Sequence, residues 1–238
     1  MKIYLGTIHK YPYPEDMSDE EVIKLLGEWR GQNVLKRKTK SARALPFCAG
    51  MTLKDALWQN RVDLLNVELS IGGDGKPFIK DIPFNLSHSG EVSLVAVSDA
   101  KTPIGCDIQA ILKKPVQTNL KIAERFFSVN EYEKMQEIIH ENEELGKKLF
   151  YLIFSAKEAY IKYTGEGLRR GLESFEVPMS DELISCIEKN VAISYEIEGC
   201  IDGENLRFTY LFPTYIKEMI DSNKIETEYV SVICEKSE

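Results

Sequence analysis

At residues 104–109 the chain reads IGCDIQ, and at residues 154–162 it reads FSAKEAYIK. In the first segment apolar and polar residues alternate, which is typical of a strand with one buried face. Such a strand would present Asp107 and Gln109 side by side on the opposite face. The first segment therefore offers two oxygen donors at one place in the fold.

The second segment offers a carboxylate and an ammonium. Apolar residues recur at helical spacing from about residue 143 to residue 163, which predicts a helix that ends at Gly165. On this helix Glu158 and Lys162 are one turn apart and share a face.

These donors have the chemistry of a magnesium site. Oxygen ligands without a nearby histidine or cysteine favour a hard cation, and Mg²⁺ usually takes one or two carboxylates, waters and substrate phosphates. Asp107 and Glu158 therefore predict a divalent-metal site that acts on a phosphate ester or anhydride. Each pattern alone is ordinary for a protein surface, so the prediction depends on their combination.

Two further motifs precede these segments: Gly75-Lys76-Pro77 and FNLSHSG at residues 84–90. In order and spacing, the four motifs resemble the signature of the phosphopantetheinyl transferase superfamily, specifically its Sfp-type branch. That signature runs G-K-P, F-N-x-S-H-S, a G-x-D-x-E strand and a W-x-x-K-E-A-x-x-K helix. The resemblance covers roughly residues 75–168.

The resemblance implies a transferase. Such an enzyme moves the 4′-phosphopantetheine arm of coenzyme A to a serine of an apo acyl or peptidyl carrier protein and releases adenosine 3′,5′-bisphosphate. It implies Mg²⁺ as cofactor, held by Asp107, Gln109 and Glu158, with Glu158 and Lys162 as catalytic residues. Glu158 would also be the general base for the serine, but a carboxylate bound to Mg²⁺ is a weaker base, so its metal role is favoured.

The resemblance also implies a set of coenzyme A contacts. They are Arg43, Lys76, Pro77, Ser87, His88, Lys157 and Lys162. Lys76 would lie near the adenine and the 3′-phosphate, and His88 would contact the 3′-phosphate with Ser87 beside it. Arg43 belongs to a basic block, residues 30–43, that contains no acid. Without the motifs, exposed helix lysines and a structural histidine would be the ordinary interpretation.

The chain departs from the signature at two positions. Gln109 replaces the second acid of G-x-D-x-E, and Phe154 replaces the tryptophan. Two carboxylates suffice for a typical Mg²⁺ site, so the glutamine is interpreted as tolerated. It also favours the main alternative, a non-catalytic paralogue that binds coenzyme A or a carrier protein. A third alternative, a Mg²⁺-dependent pyrophosphate hydrolase, would need a glutamate-rich ligand helix that the sequence does not offer.

The composition of the chain is compatible with these expectations, but it would not have predicted them by itself. The chain has 238 residues, is 43% hydrophobic and carries a net charge of −8, which disfavours nucleic acid as a partner. It has no apolar run of membrane-spanning length and no signal-peptide pattern at its start, so a cytoplasmic protein without membrane contact is expected. The five cysteines form no C-x-x-C pair, which predicts reduced thiols. By analogy with the Sfp-type branch, a monomer is favoured.

The periodicity predicts an α+β protein. Strands are predicted at about residues 2–8, 65–71, 84–88, 92–97, 104–109, 173–178, 191–198, 205–212 and 227–234, and helices at about 18–30, 41–58 and within 118–164. Turns are predicted at Gly72–Gly75 and Asp202-Gly203, and the strands between 84 and 109 suit an antiparallel meander. The resemblance implies two pseudo-symmetric halves with the active site between them: residues 1–103 with the coenzyme A-binding loops, and residues 104–238 with the metal-binding strand and helix.

Overall fold

The computed structural model describes residues 1–72, 75–189, 193–220 and 224–237. Its strands are β1 (Lys2–Thr7), β2 (Leu69–Ile71), β3 (Pro77–Ile79), β4 (Phe84–Ser89), β5 (Val92–Val97), β6 (Ile104–Ala110), β7 (Ser194–Ile201), β8 (Glu204–Leu211) and β9 (Tyr229–Lys236). Its helices are α1 (Asp19–Leu35), α2 (Lys40–Gln59), α3 (Val116–Phe126), α4 (Val129–Glu141), α5 (Glu143–Thr164), α6 (Asp181–Lys189) and α7 (Pro213–Met219). The predicted mixture of helices and strands is confirmed.

The strands form two main antiparallel sheets. One has the order β1-β5-β4 and the other the order β6-β9-β8-β7, while β2 and β3 form a separate hairpin. The predicted pairing of β4 with β5 is confirmed, but the extension of this meander to β6 is wrong. The segment after β5 carries the chain into the second sheet, where β6 pairs with β9.

The helices cover these sheets. Helix α2 packs on β5 and supports α1, whereas α5 lies across β6 and β9 and supports α3 and α4. The largest apolar cluster fills the space between α5 and the second sheet, with Leu149, Ile153, Phe208 and Val232 fully buried within it. Within the described residues, no helix is both long and apolar enough to span a membrane.

Local chain signals explain two of the boundaries. Helix α5 ends at Gly165, as predicted, because that residue adopts a left-handed φ of 78° that favours glycine. The predicted turn between β7 and β8 is confirmed, since Asp202 and Gly203 both have positive φ, 54° and 79°.

Three expectations about elements differ from the structure. The strand predicted at 173–178 is wrong: Leu172–Ser174 forms a short 3₁₀ turn and the residues after it pair with no strand. Strand β3 and helices α6 and α7 were not predicted. The strand predicted at 191–198 appears as β7, from Ser194 onward; residues 191 and 192, like Gly73 and Asp74 of the predicted turn, lie outside the described residues.

Candidate active site

Asp107 on β6 is the centre of a cluster of polar side chains. It is 2% exposed, and its carboxylate accepts four hydrogen bonds. Oδ1 accepts one from the Ser87 hydroxyl at 2.7 Å and one from the Lys162 ammonium at 2.6 Å. Oδ2 accepts one from the Gln109 amide at 2.8 Å and one from the Ser155 hydroxyl at 3.0 Å. The structure thus brings Ser87, Gln109 and Lys162, all predicted site residues, to Asp107.

Helix α5 supplies one side of this cluster. Ser155, Glu158 and Lys162 are spaced i, i+3 and i+7, which places them on one helical face. Sequence reasoning identified the last two and missed Ser155, although the same spacing would have found it.

The close approach of β6 to α5 depends on Gly105. A Cβ atom at this position would overlap the carbonyl oxygen of Ala159 and the backbone of Tyr163. These atoms belong to the helix backbone and cannot move aside as a flexible side chain can. Glycine therefore allows Asp107, two residues further along β6, to reach the side chains of α5.

Side chains of β4 join the two main sheets. Asn85 Oδ1 accepts a hydrogen bond from the backbone N–H of Cys106 at 2.9 Å, and Ser89 Oγ accepts one from the backbone N–H of Ala110 at 3.1 Å. Ser87 lies between them on the same face of β4 and reaches Asp107. The F-N-x-S-H-S segment therefore fixes β4 against β6 with side chains where no backbone ladder connects the sheets.

Glu158 is the second carboxylate of the site. It is half-buried, and burial raises its pKa, while the Lys162 ammonium opposes this effect and the charge of Asp107 adds to it. The described part of the chain gives Glu158 no hydrogen-bond or ion-pair partner. A half-buried carboxylate without a partner is a suitable ligand for a cation.

The donor set fits Mg²⁺. Asp107 and Glu158 offer carboxylate oxygens, and Gln109, whose amide N–H is donated to Asp107, still offers its carbonyl oxygen. Among the described residues no group of three histidine, cysteine, aspartate or glutamate side chains could hold a metal. A metal here would therefore be held by two carboxylates and neutral oxygen ligands.

His88 faces a positively charged environment. Burial lowers the pKa of His88 to about 4, and the nearby charges of Arg30 and Lys162 contribute to this. Arg30 is only 6% exposed and donates from Nη2 to the Pro46 carbonyl at 2.7 Å, but its Nε has no partner. Two cations around a neutral imidazole form a surface suited to an anion. Arg30 was named only as part of the basic block, and its burial could not be read from that block.

Arg43 and Lys76 make contacts within the protein. Arg43 forms an ion pair with Asp19 at 2.9 Å and donates a hydrogen bond to the Tyr13 hydroxyl at 3.2 Å. The Lys76 ammonium donates to the carbonyl oxygens of Lys162 and Tyr163, at the C-terminal end of α5, and to that of Ile104, at the start of β6. A cation is favourable at a helix C-terminus, so Lys76 holds the β2–β3 hairpin against α5.

Lys157 does not join the cluster around Asp107. Its side chain is fully buried on another face of α5, where the ammonium pairs with Glu131 at 2.7 Å. It also donates to the carbonyl oxygens of Leu172 at 2.8 Å and Phe175 at 2.6 Å. Neighbouring residues on a helix point about 100° apart, so Lys157 and Glu158 cannot share a face. The expected coenzyme contact of Lys157 is therefore not formed by this arrangement.

A cavity of about 220 Å³ opens beside the cluster. Its walls come from the G-K-P segment, β4 and the end of α5, namely Gly75, Lys76, Pro77, Asn85, Leu86, Ile161, Lys162, Gly165 and Gly167. A larger cavity of about 600 Å³ lies between α7 and the segment before β9, and no predicted site residue lines it. Of these two cavities, the smaller one therefore adjoins the polar cluster around Asp107.

Comparisons with known proteins agree with this geometry. A family model described as the 4′-phosphopantetheinyl transferase superfamily matches residues 103–204. The chain is 45% identical over 113 residues to 4′-phosphopantetheinyl transferase psf-1 of Bacillus pumilus, covering 46% of this chain and 45% of the relative. It is 36% identical over 127 residues to 4′-phosphopantetheinyl transferase Sfp of Bacillus subtilis, covering 52% and 53%. These matches span about half the length of both relatives.

A longer match comes from Candida glabrata. Its L-aminoadipate-semialdehyde dehydrogenase-phosphopantetheinyl transferase is 31% identical over 218 residues, covering 87% of this chain and 81% of the relative. The alignment thus extends well beyond the segment that the family model matches, into both main sheets. With the motifs gathered around Asp107, this match shows that the chain belongs to the 4′-phosphopantetheinyl transferase superfamily.

Proposed function

We propose that this protein transfers the 4′-phosphopantetheine arm of coenzyme A to a serine of an apo acyl or peptidyl carrier protein, with Mg²⁺ as cofactor. One observation supports this most directly: Asp107, paired with Lys162, lies beside the unpartnered carboxylate of Glu158. Two carboxylates next to a lysine that lines a cavity are suited to a pyrophosphate and its metal ion. The names of the relatives agree with this reaction.

The proposed active site lies between two halves, residues 1–103 and 104–238. Each half combines one main antiparallel sheet with packed helices, which supports the expected pseudo-symmetry, and the first half also holds the β2–β3 hairpin. The first half would supply the coenzyme-binding residues Ser87 and His88, and the second would supply the metal ligands Asp107 and Glu158. The side-chain contacts between β4 and β6 support this division.

In the proposed reaction, the serine oxygen of the carrier bonds to the β-phosphorus of coenzyme A. The bond from that phosphorus to the bridging oxygen breaks, and adenosine 3′,5′-bisphosphate leaves with the bonding electrons. Glu158 would take the serine proton, but its role as a metal ligand is favoured over this one, because a carboxylate bound to Mg²⁺ is a weaker base. Lys162 places a positive charge beside the pyrophosphate. A bound Mg²⁺ would be held by Asp107 and Glu158, with Gln109 in reach, and would neutralise pyrophosphate charge.

The 3′-phosphate of coenzyme A would bind near His88. Arg30 supports this assignment, because a buried guanidinium with an unpartnered Nε gains most from an anionic ligand. Lys76 and Pro77 line the adjoining cavity and would contact the nucleotide. The role expected of Arg43 stays a prediction, and it would require Arg43 to leave its ion pair with Asp19.

For Lys157 we propose a different role. Its three acceptors belong to α4 and to the segment that follows α5, so the ammonium ties both to the helix that carries Glu158. Lys157 would then affect the stability of the site without touching coenzyme A.

A test of the transferase proposal is intact-protein mass spectrometry of several apo carrier proteins incubated with this protein, coenzyme A and Mg²⁺. We expect a gain of one phosphopantetheinyl mass that EDTA abolishes and that the Glu158→Ala variant loses. Glu133→Ala, which removes an exposed carboxylate from α4, is the matched control and should retain the gain. Coenzyme A binding without any mass gain would instead support the non-catalytic binder that Gln109 favours.

A further inference from the structure

The Asp107 carboxylate has no acceptor site to spare. Two carboxylate oxygens offer about four lone-pair directions. Ser87 and Lys162 occupy Oδ1, and Gln109 and Ser155 occupy Oδ2. A metal ion that binds Asp107 must therefore displace at least one of these four donors.

The four donors differ in how easily they can be displaced. Lys162 has a long side chain that is 27% exposed, and Gln109 is also partly exposed. Ser155 is 0% exposed, and its short side chain is held by the backbone of α5. Lys162 and Gln109 can swing into the cavity or solvent, whereas the Ser155 hydroxyl is enclosed between β6 and α5 and can leave Asp107 only by turning about χ1 within that packed interface.

Ser155 also connects the two carboxylates. It lies three residues before Glu158 on the same helical face, so its hydrogen bond joins the helix that carries one carboxylate to the other carboxylate. Among the four donors, it is the one that is both fully buried and carried by the helix of Glu158, so it restrains the Asp107 carboxylate relative to Glu158. Groups that orient a metal ligand in this way commonly change metal affinity when they are removed.

We propose that Ser155 is a positioning residue that holds Asp107 Oδ2 and thereby orients the Asp107 carboxylate for the metal. The proposal rests on the proposed function only in taking Asp107 and Glu158 as metal ligands. It assigns a role to a residue that the motif comparison left unexplained, and it explains why a hydroxyl is buried between β6 and α5.

The test is a titration of the full chain with Mn²⁺ in the absence of coenzyme A. Electron paramagnetic resonance measures the free Mn²⁺ at each step and so gives the affinity. We expect Ser155→Ala to weaken Mn²⁺ affinity about tenfold, and Ser155→Thr, which keeps the hydroxyl, to restore most of it. Ser231→Ala is a matched control. Ser231 is equally buried, but its hydroxyl donates to the backbone carbonyl of Asp107 at 2.7 Å and not to the carboxylate. This variant should keep the wild-type affinity.

Thermal melting of each variant separates loss of fold from loss of orientation. Alanine is favourable in a helix, so Ser155→Ala is expected to stay folded. A folded Ser155→Ala variant with wild-type Mn²⁺ affinity would overturn the proposal, as would equal losses in Ser155→Ala and Ser231→Ala. The transfer assay is independent: a wild type that binds Mn²⁺ through Asp107 and Glu158 but modifies no carrier would refute the transferase and leave the role of Ser155 standing.

Discussion

His88 should make the stability of the protein depend on pH in a defined window. Burial and the charges of Arg30 and Lys162 lower its pKa from 6.5 to about 4. Below pH 6.5 the unfolded chain takes up a proton at His88, while the folded protein does so only near pH 4. Folding stability is therefore lost as the pH falls through this window. The gap between the two pKa values corresponds to about 3 kcal/mol.

The variant His88→Gln isolates this contribution. Wild type and variant are unfolded in urea at about pH 7.5, 6, 5 and 4. Between the highest and the lowest pH, the unfolding free energy of the wild type should fall by about 3 kcal/mol more than that of the variant. His140→Gln, which removes an exposed histidine from the end of α4, controls for the loss of a histidine. If the unfolding free energies of wild type and His88→Gln changed equally with pH, the buried, positively charged environment of His88 would be refuted.

The protonation of His88 should also change when coenzyme A binds. The negative 3′-phosphate would raise the pKa of His88, so binding between about pH 4 and 6.5 should take up a proton. Calorimetry in buffers of different ionisation enthalpy measures this uptake, and His88→Gln should lack it. Equal uptake by both proteins would place the phosphate away from His88.

Three other variants test the remaining assignments. Lys157→Met should lower the unfolding free energy by about 3 to 5 kcal/mol in urea, because it leaves Glu131 buried without its cation; a stable variant with weakened coenzyme A binding would instead support the coenzyme contact. Gly105→Ala should lower the unfolding free energy by about 3 kcal/mol or more and abolish Mn²⁺ binding, because the added methyl group pushes β6 away from α5. A variant with wild-type stability and Mn²⁺ affinity would contradict the overlap of that methyl group with the backbone of α5. Gln109→Glu should tighten Mn²⁺ binding by adding a charged ligand, and an unchanged affinity would mean that residue 109 never reaches the ion.

Periodicity and spacing were sufficient for the centre of the site. Alternation on β6 separated Asp107 from the apolar residues of the strand, although α5 covers this second face too, so that both faces are buried and not one as predicted. The i, i+4 spacing put Glu158 and Lys162 together on α5. Lys157 was grouped with them because it belongs to the same motif, but its helical phase directs it towards Glu131. The motif places Lys157 next to Glu158 in the sequence, but neighbours in a motif need not lie on the same face of the helix.

The misassigned strand at 173–178 has a physical explanation. Phe175 and Val177 are buried and Glu176 is exposed, so the alternation that predicted a strand is present. The backbone of this segment is not paired with a neighbouring strand. The Phe175 carbonyl instead accepts a hydrogen bond from the Lys157 ammonium. A period of two reports burial of alternate side chains, and it cannot report what satisfies the backbone.

Gly105 has a consequence for how this protein can be altered. Because backbone meets backbone where β6 crosses α5, no side chain at residue 105 separates the strand that carries Asp107 from the helix that carries Glu158. Any larger residue at this position would act on both carboxylates at once, although it touches neither of them. The distance between the two carboxylates is therefore sensitive to a position that carries no functional group.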